Sequence, residues 1–90
     1  MRDEYKDWID KNYPTKLKAK NMCNRAVQEM TLRFIELKVQ VGYANNKFHC
    51  WCKDEENNII DPTYRQFEGE IIYIVVAERF LNKDEIETST

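Results

Sequence analysis

The chain has 90 residues, and we expect residues 1–90 to form a single domain because surface scaling leaves a chain of this length one modest core. With 42% hydrophobic and 33% charged residues it is too apolar to be disordered, and it contains no apolar run near the ~18 residues of a membrane span. The net charge of -2 gives no general attraction to nucleic acid or anionic lipid, so neither is an expected partner. The N-terminus lacks a signal-peptide core, and the three cysteines are an odd number, which favours a cytoplasmic location with reduced thiols.

Two amphipathic helices are predicted in the first third of the chain. Apolar residues at helical spacing predict the first helix over residues 2–12, and Pro14 ends it. Residues 15–20 alternate lysine with other residues and are expected to form a solvated linker. The second helix is predicted over residues 22–32, with Asn21 as its N-cap. Its apolar stripe consists of Cys23, Ala26, Val27, Met30 and Phe34.

Cys23 occupies the first turn of the second predicted helix. Free backbone N–H groups and the helix dipole favour a thiolate at this position, which suits a nucleophile. The competing interpretation is that Cys23 only packs, since free cysteine is among the most buried residue types.

A β-hairpin is predicted in the middle of the chain. Residues 35–43 alternate apolar and polar side chains, and Asn45-Asn46 forms a tight turn into a second strand over residues 47–53. Alternation along that second strand places His49 and Trp51 on one face and Phe48, Cys50 and Cys52 on the other.

Two further strands and a final helix are predicted in the last third. Ile59 to Asp61 form a short strand that Pro62 ends, so Asp61 is expected at a strand end. The β-branched residues of the segment 71–77 predict a strand that is central or well covered in the sheet. A capping-box pattern from Asn82 predicts a short C-terminal helix.

Cys23, His49 and Asp61 together are the candidate catalytic residues. A catalytic cysteine needs a base within hydrogen-bond reach, and the imidazole needs a third group that fixes its tautomer. If the second helix packs across the hairpin, Cys23 meets the sheet face that carries His49, and Asp61 can bond the far imidazole nitrogen. The backbone N–H of Cys23 is the natural first oxyanion donor. The second donor is left open among Tyr5, Trp8, Asn12, Tyr13 and Asn21.

These residues allow two other interpretations. A zinc site made of His49, Cys50 and Cys52 is disfavoured because His49 points away from both cysteines and no CxxC pair exists, so no metal is expected. Alternatively, His49 is a satisfied core residue without a chemical role.

Four motifs lie within about residues 21–67: Cys23-x-x-Ala26, Val41-Gly42-Tyr43-Ala44, His49-x-Trp51 and Ile59-Ile60-Asp61-Pro62-Thr63. Together they resemble transglutaminase-like proteins of the papain-like cysteine superfamily. The resemblance implies an α+β fold in which the helix carrying Cys23 packs on a small antiparallel sheet, with a Cys-His-Asp triad of Cys23, His49 and Asp61. The short chain has no sequence for the calcium sites of large transglutaminases, so no cofactor is expected.

We therefore predict a cysteine-dependent amide or peptide hydrolase, or an acyltransferase, that acts through a thioester on a polypeptide. Trp51 and Asn21 are the predicted substrate-binding residues. The alternative is a non-enzymatic protein-binding module with the same fold, such as a phage-encoded inhibitor of a host protein. The oligomeric state is left unspecified.

Overall fold

A computed structural model describes residues 1–79, which form a small α+β domain with helices packed on a four-stranded antiparallel sheet. The predicted α+β class is confirmed. No helix in this described part is long and apolar enough to cross a membrane. The elements are α1 (Asp3–Asn12), α2 (Lys16–Ala19), α3 (Cys23–Arg33), β1 (Lys38–Ala44), β2 (Lys47–Lys53), β3 (Ile59–Ile60), a 3-10 turn (Tyr64–Gln66) and β4 (Tyr73–Arg79).

The helices α1 and α3 confirm the two predicted amphipathic helices, with ends that differ by one residue. The predicted linker instead contains α2, which Thr15 caps by accepting a hydrogen bond from the Lys18 backbone N–H at 3.2 Å. The prediction that Asn21 is the N-cap of α3 is wrong, because Met22 is the N-cap. Asn21 has a φ of 60° and turns the chain between the two helices.

The sheet has the strand order β3-β2-β1-β4, with β1 and β2 as its central strands. The predicted hairpin is confirmed, and Asn45 and Asn46, with φ of 49° and 66°, form its two-residue turn. The first strand begins at Lys38 and not at residue 35, because the chain still turns at Ile35, whose side chain is exposed.

The strand β4 lies at an edge of the sheet, so the prediction of a central or well-covered strand is wrong. Its large apolar side chains Ile74, Val75 and Val76 are exposed. The apolar, β-branched composition correctly indicated a strand, but it reflects strand propensity more than burial. The predicted helix from Asn82 lies outside the described residues.

The main core lies between the helices α1 and α3 and one face of the sheet. That face carries Cys50 and Cys52, and the opposite face carries His49 and Trp51, as the alternation predicted. The expectation that α3 covers the His49 face is therefore wrong, since its apolar stripe packs against the cysteine face. The core residues are Tyr5, Ile9, Val27, Met30, Phe34, Leu37, Val39, Cys50, Cys52 and Ile60.

A β-bulge interrupts the pairing of β1 with β4. Val41 pairs with Ala77, but the next residue, Gly42, pairs with Val75, so Val76 is an extra residue on β4. Glycine is required at position 42, since a Cβ there would lie 1.9 Å from the backbone oxygen of Ile74. Side chains alternate between the two faces of a strand. The residues of β4 before Val76 therefore point to the opposite face from the one that regular alternation would give them.

Candidate functional site

His49 and Asp61 form a buried hydrogen-bonded pair on the sheet face away from α3. The Nε2 atom of His49 lies 2.9 Å from Oδ2 of Asp61. His49 comes from the middle of β2, whereas Asp61 directly follows β3, the neighbouring strand. Both side chains are at most 2% exposed, so water does not compete for this contact.

The carboxylate of Asp61 accepts hydrogen bonds at both oxygens. The backbone N–H and the hydroxyl of Thr63 approach Oδ1 at 3.0 and 3.3 Å, and the phenol of Tyr73 donates to Oδ2 at 2.9 Å. Gln66 in turn donates to the Thr63 hydroxyl at 2.9 Å. With His49 included, four donors occupy the roughly four lone-pair positions of a carboxylate, so its orientation is fixed.

Aromatic rings hold the His49 imidazole on two sides. Trp51 stacks on it with ring centroids 5.9 Å apart, and Phe67 meets it edge-on at 5.0 Å. Trp51 is fully buried, and its indole N–H donates to the Gln40 side-chain oxygen at 2.8 Å. The structure thus gives Trp51 a packing contact with His49 and no surface that a substrate can touch.

Cys23 is the first residue of α3 and is only partly buried. Its thiolate form is stabilised by interactions with the thiol and the backbone N–H of Cys50 and with the His49 imidazole. The Cys50 thiol is the largest cause that lowers the pKa of Cys23, to about 4, against the opposing effect of burial. Cys23 thus lies beside the outer edge of β2. From there it interacts with Cys50 on one face of the sheet and with His49 on the other.

The electrostatics of His49 favour its protonated form. Burial lowers its pKa, but the hydrogen bond to Asp61 and the interaction with Cys23 outweigh burial and raise the pKa of His49 to about 9. The lowered pKa of Cys23 and the raised pKa of His49 both favour a thiolate paired with an imidazolium near neutral pH. This is the reactive ionisation state of a cysteine nucleophile with a histidine partner.

The second imidazole nitrogen of His49 is exceptional in this fold. Within residues 1–79, Nδ1 is the one buried side-chain nitrogen or oxygen without a conventional hydrogen bond. An unsatisfied buried polar atom costs about 1–3 kcal/mol, so stability alone does not favour it. Because Asp61 occupies Nε2, Nδ1 is the nitrogen left to face the sulfur of Cys23.

Cys50 belongs to the site and not only to the packing that the sequence suggested. Its thiol donates to Oδ1 of Asn24 at 3.3 Å and also interacts with the sulfur of Cys23. The single thiol proton serves one acceptor at a time, so Asn24 and Cys23 compete for it. The contact with Cys23 is the largest cause that raises the pKa of Cys50, followed by burial. Cys52 is fully buried, and burial raises its pKa as well.

The structure brings Cys23, His49 and Asp61 into one chain of contacts. Asn21 is exposed at the start of α3, and its predicted role in substrate binding stays a prediction. Sequence reasoning missed Cys50 and Tyr73; the pairing of strands that places Tyr73 has no local sequence signal. In the described part of the chain, no group of three or more His, Cys, Asp or Glu side chains is placed to hold a metal ion.

Comparisons with protein-family models, with curated proteins and with solved structures find no significant match. The resemblance to transglutaminase-like proteins therefore rests on the motif residues alone, and the papain-like core stays a prediction.

Proposed function

We propose that the protein is a cysteine-dependent amide or peptide hydrolase, or an acyltransferase, with Cys23 as nucleophile. His49 is the general acid and base, and Asp61 holds its tautomer and ring plane. This assignment follows the roles that such groups take in triads, where geometry and not sequence order defines the members.

One observation carries the proposal: the imidazole of His49 is fixed by Asp61 at Nε2 while its buried Nδ1 lacks a conventional partner. A histidine kept only for packing would have both nitrogens satisfied or exposed to water. Here the unsatisfied nitrogen faces a thiol whose pKa is lowered to about 4. A reactive thiolate next to an oriented proton donor is the arrangement that acyl transfer needs.

The chemistry follows from these positions. The Cys23 thiolate attacks the carbonyl carbon of an amide, and His49 gives its Nδ1 proton to the leaving nitrogen as the C–N bond breaks. The product is a thioester and a free amine. His49, now neutral, takes a proton from water or from an acceptor amine, which attacks the thioester. The acylated product leaves and the thiolate–imidazolium pair forms again.

The start of α3 supplies a donor for the oxyanion. The first hydrogen bond within the helix runs from the Ala26 backbone N–H to the Met22 carbonyl at 2.8 Å, so the Cys23 N–H has no partner within α3. An N–H of this kind, aided by the helix dipole, stabilises negative charge on a carbonyl oxygen next to the nucleophile.

A polypeptide is the substrate that suits this site. Cys23 is partly exposed, and β3 pairs with β2 only at Cys52 and Lys53. Among the described residues, no strand pairs with the outer edge of β2 from Lys47 to Trp51. His49, Cys50 and Trp51 are buried, so an extended peptide would meet this edge at the exposed residues Lys47 and Phe48.

Alkylation of the three cysteines tests the proposal. At pH 6, iodoacetamide should modify Cys23 at least about tenfold faster than Cys50 or Cys52, because only Cys23 has a lowered pKa. The protein is treated under native conditions, quenched, digested and analysed by mass spectrometry for each cysteine. In His49→Ala the preference should shrink, since the thiolate loses its cationic partner while the Cys50 contact remains.

Acylation provides the second measurement. Nitrophenyl acetate should give a burst of nitrophenolate and one acetyl group on Cys23, which then leaves by hydrolysis. Equal alkylation of all three cysteines, or no acetyl adduct on Cys23, would overturn the proposed activity. Either result would leave the non-enzymatic protein-binding module as the better account of the fold.

A further inference from the structure

Tyr73 lies next to the candidate site, and a β-bulge determines the direction of its side chain. It is the first residue of β4, and its phenol donates to Oδ2 of Asp61 at 2.9 Å, the oxygen that also contacts His49. Its ring lies against Trp51 with centroids 4.8 Å apart. Tyr73 therefore contacts the orienting carboxylate and the indole that stacks on the imidazole.

The β-bulge is what turns Tyr73 toward this face. Toward its C-terminal end, β4 pairs Glu78 with Gln40, which shares the sheet face of His49. With regular alternation from Glu78, Tyr73 would point to the opposite face, because five residues separate the two positions. The extra residue Val76 shifts the alternation by one, so Tyr73 pairs with Ala44 on the His49 face.

The same bulge requires glycine at position 42, where a Cβ would collide with the backbone of Ile74. Bulges that re-aim a side chain are over-represented next to active sites. The side chain re-aimed here is a phenol, and its hydroxyl meets a carboxylate that already has donors from Thr63 and His49. Packing alone does not explain a fourth donor, since Phe would fill the same space.

We propose that Tyr73 is a positioning residue of the candidate site, acting through Asp61: by sharing Oδ2 with His49 it weakens the hold of the carboxylate on the imidazolium, so that His49 releases its proton more readily. This inference rests on the proposed function for its catalytic consequence. Its structural part, the effect of Tyr73 on His49 through Asp61, is independent of any activity.

The charges that face His49 define the expected effect. They are the Cys23 sulfur on α3 and the Asp61 carboxylate after β3, with the Tyr73 phenol on β4. Burial, followed by the charge of Asp61, raises the pKa of Tyr73, so the phenol stays a donor. Its removal leaves more negative charge on Oδ2 for His49, and the pKa of His49 should rise above about 9.

The test compares Tyr73→Phe with Tyr43→Phe. Tyr43 also carries one phenol, but it lies on the opposite face of the neighbouring strand β1, is partly exposed and packs on Phe48. His49 is the only histidine of the chain, so its ring signals can be followed by NMR during a pH titration without ambiguity. Its pKa should shift upward in Tyr73→Phe and stay at the wild-type value in Tyr43→Phe.

Hydrolysis of acetyl-Cys23, formed with nitrophenyl acetate and followed by mass spectrometry, gives the second measurement. This step needs neutral His49 as base, so the pH midpoint of its rate should rise in Tyr73→Phe. At pH 6 the rate should fall about tenfold, the value of one lost hydrogen bond. Thermal unfolding of each variant checks that the fold is retained, and a merely structural role would change stability without moving the midpoint.

The outcomes separate this inference from the proposed function. An unchanged or lowered pKa of His49 in Tyr73→Phe would overturn the role of Tyr73, and so would equal shifts in the two variants. If wild-type Cys23 forms no acetyl adduct but the His49 shift is found, the proposed activity fails while the structural role of Tyr73 stands.

Discussion

The Nε2 atom of His49 and Oδ2 of Asp61 lie 2.9 Å apart in a part of the fold from which water is excluded. Burial lowers the pKa of His49, and the Asp61 contact is the largest effect in the opposite direction. The protonated imidazole is therefore a consequence of this one contact more than of any surface charge. It also determines which nitrogen faces Cys23.

Asp61→Asn should remove the charge that keeps His49 protonated. The pKa of His49 should then fall, because burial is no longer opposed by a full negative charge. The Cys23 thiolate loses its cation, so its alkylation by iodoacetamide at pH 5 should slow by at least about tenfold. NMR titration of His49 and the pH profile of alkylation measure the two effects.

Asp54→Asn is the matched control for this substitution. Asp54 is also a buried aspartate, and it accepts hydrogen bonds from the backbone N–H groups of Glu56 and Asn58 in the turn after β2. The control should lower stability by about 1–2 kcal/mol without moving the alkylation profile. If Asp61→Asn and Asp54→Asn shift the pH profile of Cys23 alkylation by the same amount, the shift comes from general destabilisation of the fold and not from loss of the Asp61 charge.

Cys50→Ala should raise the pKa of Cys23 above about 4, because the Cys50 thiol is the largest cause that lowers it. The rate of Cys23 alkylation falls at low pH as the thiolate is protonated, and we call this part of the pH profile the acid limb. In Cys50→Ala the acid limb should move to higher pH, while the rate at pH 8 stays close to that of the wild type. The rate of Cys23 alkylation by iodoacetamide, measured at a series of pH values between 4 and 8, gives the position of the acid limb.

Cys52→Ala is the comparison for Cys50→Ala. Cys52 lies two residues further along β2 and is fully buried, and its pKa is raised by burial and then by the charge of Asp61. Removing it should cost about 1–2 kcal/mol of stability and leave the acid limb of Cys23 in place. An unchanged limb in Cys50→Ala would mean that the Cys50 thiol does not stabilise the Cys23 thiolate.

Gly42→Ala should destabilise the fold strongly. The added Cβ would lie 1.9 Å from the backbone oxygen of Ile74, and a backbone atom cannot move aside as the end of a side chain can. We expect a loss of about 3 kcal/mol in urea unfolding, from overpacking and the distorted bulge.

Gly69→Ala is its control, since glycine 69 has a φ of 70° and no atom near its would-be Cβ. It should cost only about 1 kcal/mol, from left-handed backbone strain. A loss in Gly42→Ala no larger than in Gly69→Ala would contradict the close approach of β4 at the bulge.

Side-chain alternation predicted much of this arrangement from the sequence. It placed His49 and Trp51 on one face of β2 and Cys50 and Cys52 on the other, because the period of two depends only on the strand itself. It did not predict which face α3 covers. Both faces of β2 are apolar enough to be buried, so the choice depends on long-range packing.

The contact of Tyr73 with Asp61 was not predictable from the sequence for a different reason. The direction of the Tyr73 side chain depends on a bulge in the pairing of β1 with β4, and one extra residue reverses the face of every preceding side chain of the strand. The contact of Cys50 with Cys23 likewise needs the docked position of α3. The types and order of the residues indicated the candidate nucleophile, base and carboxylate. Cys50 and Tyr73, which contact these residues, could be found only from the tertiary structure.

The coupled ionisation of Cys23 and His49 should also shape the pH dependence of stability. The pKa of His49 is raised from 6.5 to about 9, so its contribution is complete below pH 6.5 and is lost as the pH rises through 9. The pKa of Cys23 is lowered from 9.0 to about 4, so its contribution is complete above pH 9 and is lost as the pH falls through 4.

The sum of the two contributions gives a distinct profile. Between pH 6.5 and 9 the folded pair (thiolate and imidazolium) and the unfolded pair (thiol and neutral imidazole) each hold one proton, so the pair adds no slope there. Between pH 4 and 6.5 the unfolded pair holds one proton more, and stability should rise with pH. Because Asp61 keeps the pKa of His49 raised in both proteins, the difference in urea midpoint between wild type and Cys23→Ser reports the thiolate contribution alone and should grow steadily from pH 4.5 to 8.5. A difference that is constant over the whole range would show that Cys23 is a thiol in the folded protein.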